Sequence, residues 1–398
     1  MTVQGVTVSP NGTSDAFLAK VAPNGTLLWL HNYGGSSDDS CLTVTVDPAG
    51  DIVAGGQFTG AGTVGGATFT NHGGIDLWIG KFSGATGAHV WSAGFGGASS
   101  DAVNAVRTDA NGNVWATGFF QGSINFGGAT LSTAGVGDLD CFLLKLAGTG
   151  GHLFSTNFPG GTGQCEGNAL AVDTSGNVHL AGHFTNNQGF GGATLSSLNT
   201  KYDAFVAKFS SAGAHVWSLR FGNANADDAA DGVAVDAAGD VFVVGYVTGD
   251  VDFGGGSNTS FGSQDGYVLK LTSGGAFRAV QRIGEVGDDY VSGVAVDASS
   301  NVIVGGSFEG TAAFGGTTTL VADGRDGFLA KYTNALVGTS WKVKQFTGSG
   351  TEWTNGVAVS PSGFDIGVGY SSSASMTLDG VSKTNVGQVD GWAARVAP

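Results

Sequence analysis

Two series of carboxylates recur along the chain, and their spacing is the first chemical signal in it. One series is Asp15, Asp76, Asp140, Asp203, Asp265, Asp326 and Asp390. The other is Asp39, Asp101, Glu166, Asp228, Asp289 and Glu352, with Asp38, Asp227, Asp288 and Glu285 close by. Clustered carboxylates can hold a hard cation, and calcium takes about six to eight oxygen ligands. They can equally cap backbone amides at the corners of a repeated fold. Copying into every repeat favours the corner reading. Cation binding by Asp39, Asp101, Glu166, Asp228, Asp289 and Glu352, with calcium as the ion, is the alternative. No D-x-D-x-D-G loop supports it.

The usual catalytic patterns are missing. There is no G-x-S-x-G elbow, H-E-x-x-H pair or phosphate-binding loop. His89, His152 and His215 share one repeat phase and read as edge residues. His179 and His183 are four apart on one strand face, about 13 Å, which is too far to chelate one metal. Cys165-Glu166, Trp353 and Arg107 break the repeat without forming an acid–base set. No catalytic residue is assigned, no cofactor is expected, and the chain reads as a non-enzyme. Three cysteines cannot build a disulfide framework. Cys141 and Cys165 fall near one rim and read as buried thiols, with a disulfide as the alternative. Trp353 beside Glu352, and Tyr290 beside Asp289, mark the sector where an aromatic could anchor a ligand or partner.

The elements that carry these residues repeat. Asp15 opens DAFLAK, and the same phase reads DLWIGK, DCFLLK, DAFVAK, DGYVLK, DGFLAK and DGWAAR, at intervals of 61 to 64 residues. Each period holds four strand signals. An inner strand such as GVAVDA (232–237) leads into a turn such as Asp173-Thr-Ser-Gly-Asn177. A second strand such as NVHLAGHF follows, then a Gly-Gly hairpin, the Asp-led third strand and an outer strand such as His215-Val-Trp217. Lys20, Lys81, Lys145, Lys208, Lys270, Lys331 and Arg395 lie five residues past the Asp series, about 16 Å towards the other rim. They read as cover for strand edges or as partners between repeats. Trp29, Trp91 and Trp217, with Phe154, share one position and read as packing between repeats.

Four strands per period, repeated, predict an all-β propeller. The D-x-F-x-x-K strand, the V-x-V-D-x-x-G-N turn and the Gly-Gly hairpin resemble the SBBP-type β-propeller repeat of bacterial secreted and cell-surface proteins. That resemblance covers essentially the whole chain and implies no common catalytic motif. The period starts at 15, 76, 140, 203, 265 and 326 predict one domain over 1–398 with six blades, and seven as the alternative. Residues 376–398 repeat the phase of 1–23 without gaps. An outer strand near 27–34 is therefore expected to complete a blade begun by 356–372, so that both termini share it. The surplus strand also raises head-to-tail homo-assembly through residues 376–398.

Composition bounds the function. Glycine fills 72 of 398 positions, only 12% of residues are charged, and the net charge is -16. A chain this acidic is a poor nucleic-acid binder. No apolar run is long enough for a membrane-spanning helix. The opening Met-Thr-Val-Gln-Gly shows no signal-peptide pattern, while the low Lys content fits an extracellular or cell-surface protein. The leading expectation is a non-enzymatic scaffold or binding propeller that presents an acidic loop rim to a protein or glycan. A self-assembling structural subunit is the second reading. An enzyme with a site at the central channel is the third.

Overall fold

The structure is a computed structural model. It describes residues 2–397 except 136, 159, 161–162, 198–199, 224–225, 260, 337–341 and 386. Among them there is no helix. The principal strands begin with β1 (Ala16–Val21) and β2 (Leu27–Tyr33). The first repeat unit holds β3 (Asp39–Val46), β4 (Ile52–Phe58), β5 (Asp76–Phe82) and β6 (His89–Phe95). The second holds β7 (Ala102–Thr108), β8 (Val114–Gln121), β9 (Leu139–Leu146) and β10 (His152–Asn157). The third holds β11 (Cys165–Val172), β12 (Val178–Phe184), β13 (Asp203–Phe209) and β14 (His215–Phe221). The fourth holds β15 (Ala229–Val235), β16 (Val241–Thr248), β17 (Gln264–Leu271) and β18 (Phe277–Glu285). The fifth holds β19 (Tyr290–Val296), β20 (Val302–Ala313), β21 (Thr319–Tyr332) and β22 (Lys342–Phe346). The last holds β23 (Glu352–Val359), β24 (Asp365–Ser371) and β25 (Asp390–Val396).

Each unit is an antiparallel meander in chain order. The first three are separate four-stranded sheets. The fourth and fifth fuse through a short β18–β20 pairing at Gly284–Ala313 and Glu285–Ala312. The last unit has three strands, and β1–β2 stands as a two-stranded sheet. Apolar clusters lie between neighbouring units, as where Trp115 and Leu143 meet Leu180 and Phe205. The arrangement is propeller-like, and a closed ring of six blades is not confirmed.

The sharing of one blade by both termini is corrected by the topology. β2 pairs with β1, and the third place on β24 is taken by β25. Local hairpins win both edges, because joining β2 to the last unit would close a far longer loop. Residues 390–396, expected to be surplus, are therefore used inside their own chain.

The repeated sequence features have local causes. The first strand of each unit bulges, for instance between Cys41 and Thr43 and between Val103 and Ala105. The bulge drives a carbonyl towards the second strand. A Cβ at Gly56 would collide with the Ser40 carbonyl, and one at Gly118 with that of Ala102. Glycine is required there by close approach. In the turn after the first strand, Asp47 accepts from the Ala49 and Asp51 amides, and Asp109 from those of Asn111 and Asn113. The repeated lysines reach these same carboxylates: Lys81–Asp47 at 2.6 Å, Lys145–Asp109 at 3.2 Å, Lys208–Asp173 at 3.2 Å and Lys331–Asp297 at 3.0 Å. Lys145 and Lys208 also latch onto the next unit's outer turn, at the Ser211 and Ser273 carbonyls.

Candidate functional site

The two carboxylate series meet in pairs at the corners between units. Gly34 sits against both Asp15 and Asp39, Gly222 against Asp203 and Asp228, and Gly284 against Asp265 and Asp289. Each inner carboxylate caps its own corner. Asp101 accepts from the Gly97 and Gln121 amides, and Asp228 from those of Asn223 and Thr248. Asp39 accepts from Gly35, and Asp289 from Glu285. Glu352 accepts from the hydroxyls of Ser371 and Ser373. Burial, opposed by these amides and reinforced by the neighbouring carboxylate, pushes Asp101, Asp228 and Asp289 up to about 7. Asp39 rises to about 6 for the same reasons. Asp326, buried and beside Glu352, also rises to about 6.

This geometry corrects the acidic-rim expectation. Asp39, Asp101, Asp228, Asp289 and Glu352 are buried, as are Asp76, Asp140, Asp203, Asp265 and Asp326. They face backbone amides, polar side chains and one another, with Asp203 and Asp265 also paired to Arg220 and Arg282, so no partner can reach them as a charged surface. They also stand on different units. Among the described residues, no group of three or more His, Cys, Asp or Glu side chains could hold a metal ion.

Glu166 does not belong to the inner series. The register places Cys165 opposite Phe184, as Asp39 lies opposite Phe58, so the corner residue of the third unit is a cysteine. Cys165 is bonded to Cys141, the residue after Asp140 in the preceding unit, with Cα atoms 4.9 Å apart. The two cysteines are thus not free thiols. Cys41 is free, and burial pushes its thiol up to about 12. The sequence carried the signal for the bridge: each cysteine lies beside, or in place of, a corner Asp.

Glu166 instead shares a register position with Tyr290 and Trp353, the residue that follows the corner position. Here the structure brings together what the sequence only hinted at. Tyr290 and Trp353, on adjacent inner strands, have ring centres 5.3 Å apart. Tyr246 meets Tyr290 edge-on at 5.1 Å. The Arg325 guanidinium lies over both Tyr290, at 5.0 Å, and Trp353, at 5.1 Å. Arg325 is held by Glu309 at 2.5 Å and by the Ser307 hydroxyl at 3.2 Å. Trp353 donates its indole N–H to Ser292 at 2.9 Å, and Tyr290 donates to Gln264. These side chains are half-buried. Of the four ligand candidates, Trp353 and Tyr290 form the platform, while their sequence neighbours Glu352 and Asp289 turn inward to the corners. Arg325 and Tyr246 escaped sequence reasoning, because they are distant in the chain and have no unusual local motif.

A second polar group borders this arc. Asn168 donates to Asp231 at 3.1 Å and lies 3.2 Å from His183. Burial, opposed by the Asn168 amide, pushes Asp231 up to about 7. Burial holds His183 down to about 4, and its ring meets Tyr202 edge-on at 4.5 Å. The three repeated outer-strand histidines stay apart. His89, His152 and His215 each contact a serine three residues on, at 2.9, 2.9 and 3.2 Å. Trp91 and Trp217 donate to the next unit's turn, at Gly148 and Ser273, as expected for packing between repeats.

The chain matches no protein-family profile. It is similar to an uncharacterized WD repeat-containing protein of Acanthamoeba polyphaga mimivirus, 24% identical over 236 residues, which is 50% of this chain and 17% of that protein. It is also similar to the regulatory protein FlaEY of Caulobacter vibrioides, 27% identical over 256 residues, which is 62% of this chain and 26% of that protein. The chain thus spans about a sixth to a quarter of the length of these curated relatives. Among solved structures, BamB from Moraxella catarrhalis aligns over 88% of each chain at 12% identity, with a TM-score of 0.42. Quinohemoprotein alcohol dehydrogenase from Comamonas testosteroni aligns over 90% of this chain and 60% of its own at 12% identity, with a TM-score of 0.39.

Proposed function

We propose that the protein is a non-enzymatic binding propeller that docks a protein partner on the Tyr246–Tyr290–Trp353 arc beneath Arg325. The observation that carries this reading is the half-buried guanidinium stacked over two aromatic rings. Trp, Tyr and Arg in partly desolvated settings dominate the energy of protein interfaces. Asp227 and Asp288 lie nearby, and the chain carries a net charge of -16. Electrostatic complementarity therefore favours a basic partner surface. The compartment we assign is extracellular or cell-surface. The Cys141–Cys165 disulfide supports it, since such bonds persist where the environment is oxidising. Homo-assembly through residues 376–398 loses support, because β25 is already paired with β24.

The test is a displayed-peptide selection on the wild-type chain, with counter-selection on Trp353→Ala and Arg325→Ala. Peptides that bind the wild type and neither variant support the reading. A glycan array run in parallel separates the sugar-binding alternative. Glycans bound through Trp353, with no selectable peptide, would replace the protein reading, and equal binding by all three chains would sink both.

A further inference from the structure

The inner strands pack in sequence, β3 on β7, β7 on β11, β11 on β15, β15 on β19 and β19 on β23. Among the described residues, no comparable packing runs from β23 back to β3. The β1–β2 hairpin stands between them. It bridges to the first unit at Ser14–Asp38, and Lys20 donates to the Gly84 carbonyl of that unit. On its other side, Arg395 of the last unit donates to the Pro23 carbonyl. Contacts of the same kind link neighbouring units, as in the Leu139–Gln164 and Arg325–Thr351 bridges and the bonds from Lys145, Lys208 and Lys270 to the next turn's carbonyls. The hairpin therefore holds the place of a further unit, represented by its third and outer strands alone.

The inner half of that place is an open apolar slot. Val44 on β3 is 55% exposed, whereas its counterparts Val106 and Leu170 are 0% and Val233 is 4%. Leu42 and Val46, on the same face of β3, are exposed too. On the other wall, Val368 is 42% exposed, against 0% for Val244 at the same register in the fourth unit. Phe17 is 45% exposed, although Phe142 and Phe205 at its position are fully buried.

Charge specifies the occupant further. Lys81, Lys145, Lys208 and Lys331 each pair with the Asp that ends the inner strand of their own unit. Lys20 has the turn carbonyl of the next unit, and no carboxylate is paired with it among the described residues. We propose that this slot receives a separate β-hairpin of the repeat's own inner-strand type, V-x-V-D-x-x-G-N-V-x-V, whose Asp meets Lys20. A second copy of this chain is a poor donor. Each of its inner hairpins, from β3–β4 to β23–β24, is already paired with a third strand of its own. The proposal goes beyond the aromatic arc and is independent of it.

The probe is a labelled synthetic hairpin copying residues 229–248, titrated into the full chain. Saturable one-to-one binding and a raised melting temperature are expected. Lys20→Ala, or Asn in place of both turn aspartates of the peptide (residues 236 and 240 in the chain, the second being the one Lys270 pairs with at 3.0 Å), should each weaken binding about tenfold, and Val44→Glu should abolish it. Leu42, Val44 and Val46 are exposed already, so Val44→Glu should melt like the wild type and remain a valid control. Absence of binding to a cooperatively melting wild-type chain overturns the proposal. So does peptide binding that Lys20→Ala and Val44→Glu leave unchanged. Light scattering covers the remaining case: a dimer that Val44→Glu dissociates would make a second copy the occupant, and the proposal would fail.

Discussion

Cys141 and Cys165 join the third strand of one unit to the inner strand of the next, at the corner where the flanking units use Asp101 and Asp228. A covalent bond replaces a carboxylate clamp. It closes a sequence separation of 24 residues, for which loop entropy gives about 3 kcal/mol. Reduction should therefore lower the melting temperature by several degrees. The double variant Cys141→Ala, Cys165→Asp should recover part of the loss by restoring the clamp, and Cys141→Ala with Cys165→Ala should not. Calorimetry with and without reductant reads this directly, and equal melting of all forms would reject it.

Arg325 bridges two rings by planar stacking, which an ammonium cannot copy. Arg325→Lys should thus lose partner affinity nearly as far as Arg325→Ala, by tenfold or more. Folding stability should change far less than with a core deletion, because the guanidinium is only half-buried. Binding and melting measured on the same preparations separate these effects.

The corner carboxylates predict an unusual pH profile. Asp101, Asp228 and Asp289 sit near 7 and Asp39 and Asp326 near 6 when folded, against about 3.9 for an unfolded Asp. The folded chain holds these protons more tightly, so their stabilisation is full below about pH 4 and is lost progressively as pH rises to about 7. Asp47, Asp109, Asp173 and Asp297 oppose this on the acid side. Lys partners and turn amides, outweighing burial, hold them below the ordinary value, so their contribution fades as pH falls below about 4. His179 and His183, held near 4 by burial, lose their contribution as pH falls from about 6.5. Between about pH 4 and 7 the five raised carboxylates outweigh the two histidines, so the melting temperature should peak near about pH 4, decline up to about pH 7 and level off above it. A profile that is flat or rising from about pH 4.5 to 7 would contradict the corner assignment.

His179 is fully buried, and neither ring nitrogen has a hydrogen-bond partner among the described residues. Its counterparts Trp115, Phe242 and Ile303 are apolar. His179→Leu should stabilise the fold by about 1–2 kcal/mol, since an unsatisfied buried polar group costs about that much. Urea titration checks this, and any destabilisation would show that His179 has a partner.

Lys81 and Asp47 form a nearly buried pair at 2.6 Å. Lys81→Met leaves the Asp47 carboxylate without its cation and should cost several kcal/mol, as breaking a buried pair typically does. Lys20→Met removes no ion pair and should change stability little. Equal losses in the two variants would mean that the Lys81–Asp47 ion pair contributes no stability of its own.

The strand order, the turns and the lysine series were legible because each is local and repeated. Asp47, Asp109 and Asp173 sit in near-identical sequence and do near-identical work. The inward turn of Asp289 and Glu352 was not legible. Whether a carboxylate faces solvent or a backbone amide depends on the loop that folds over it, and no spacing encodes that. Glu166 was misplaced by one residue, because Cys165 hides the corner's chemical signature. The Arg325 platform needs three distant segments to converge. The competition for the edge of β24 was decided by chain connectivity, which repeat arithmetic alone does not weigh.

An array whose inner layer is open has two ends, and this shapes how it comes apart. Each unit contacts its immediate neighbours, so local unfolding free energy should be graded along the chain. Backbone amides of β11–β14, flanked on both sides and tied by Cys141–Cys165, should exchange with solvent most slowly. Those of β1–β2 and β23–β25 should exchange first. Cooperativity then becomes a property of position in the array, and filling the slot beside β3 would convert frayed margins into interior.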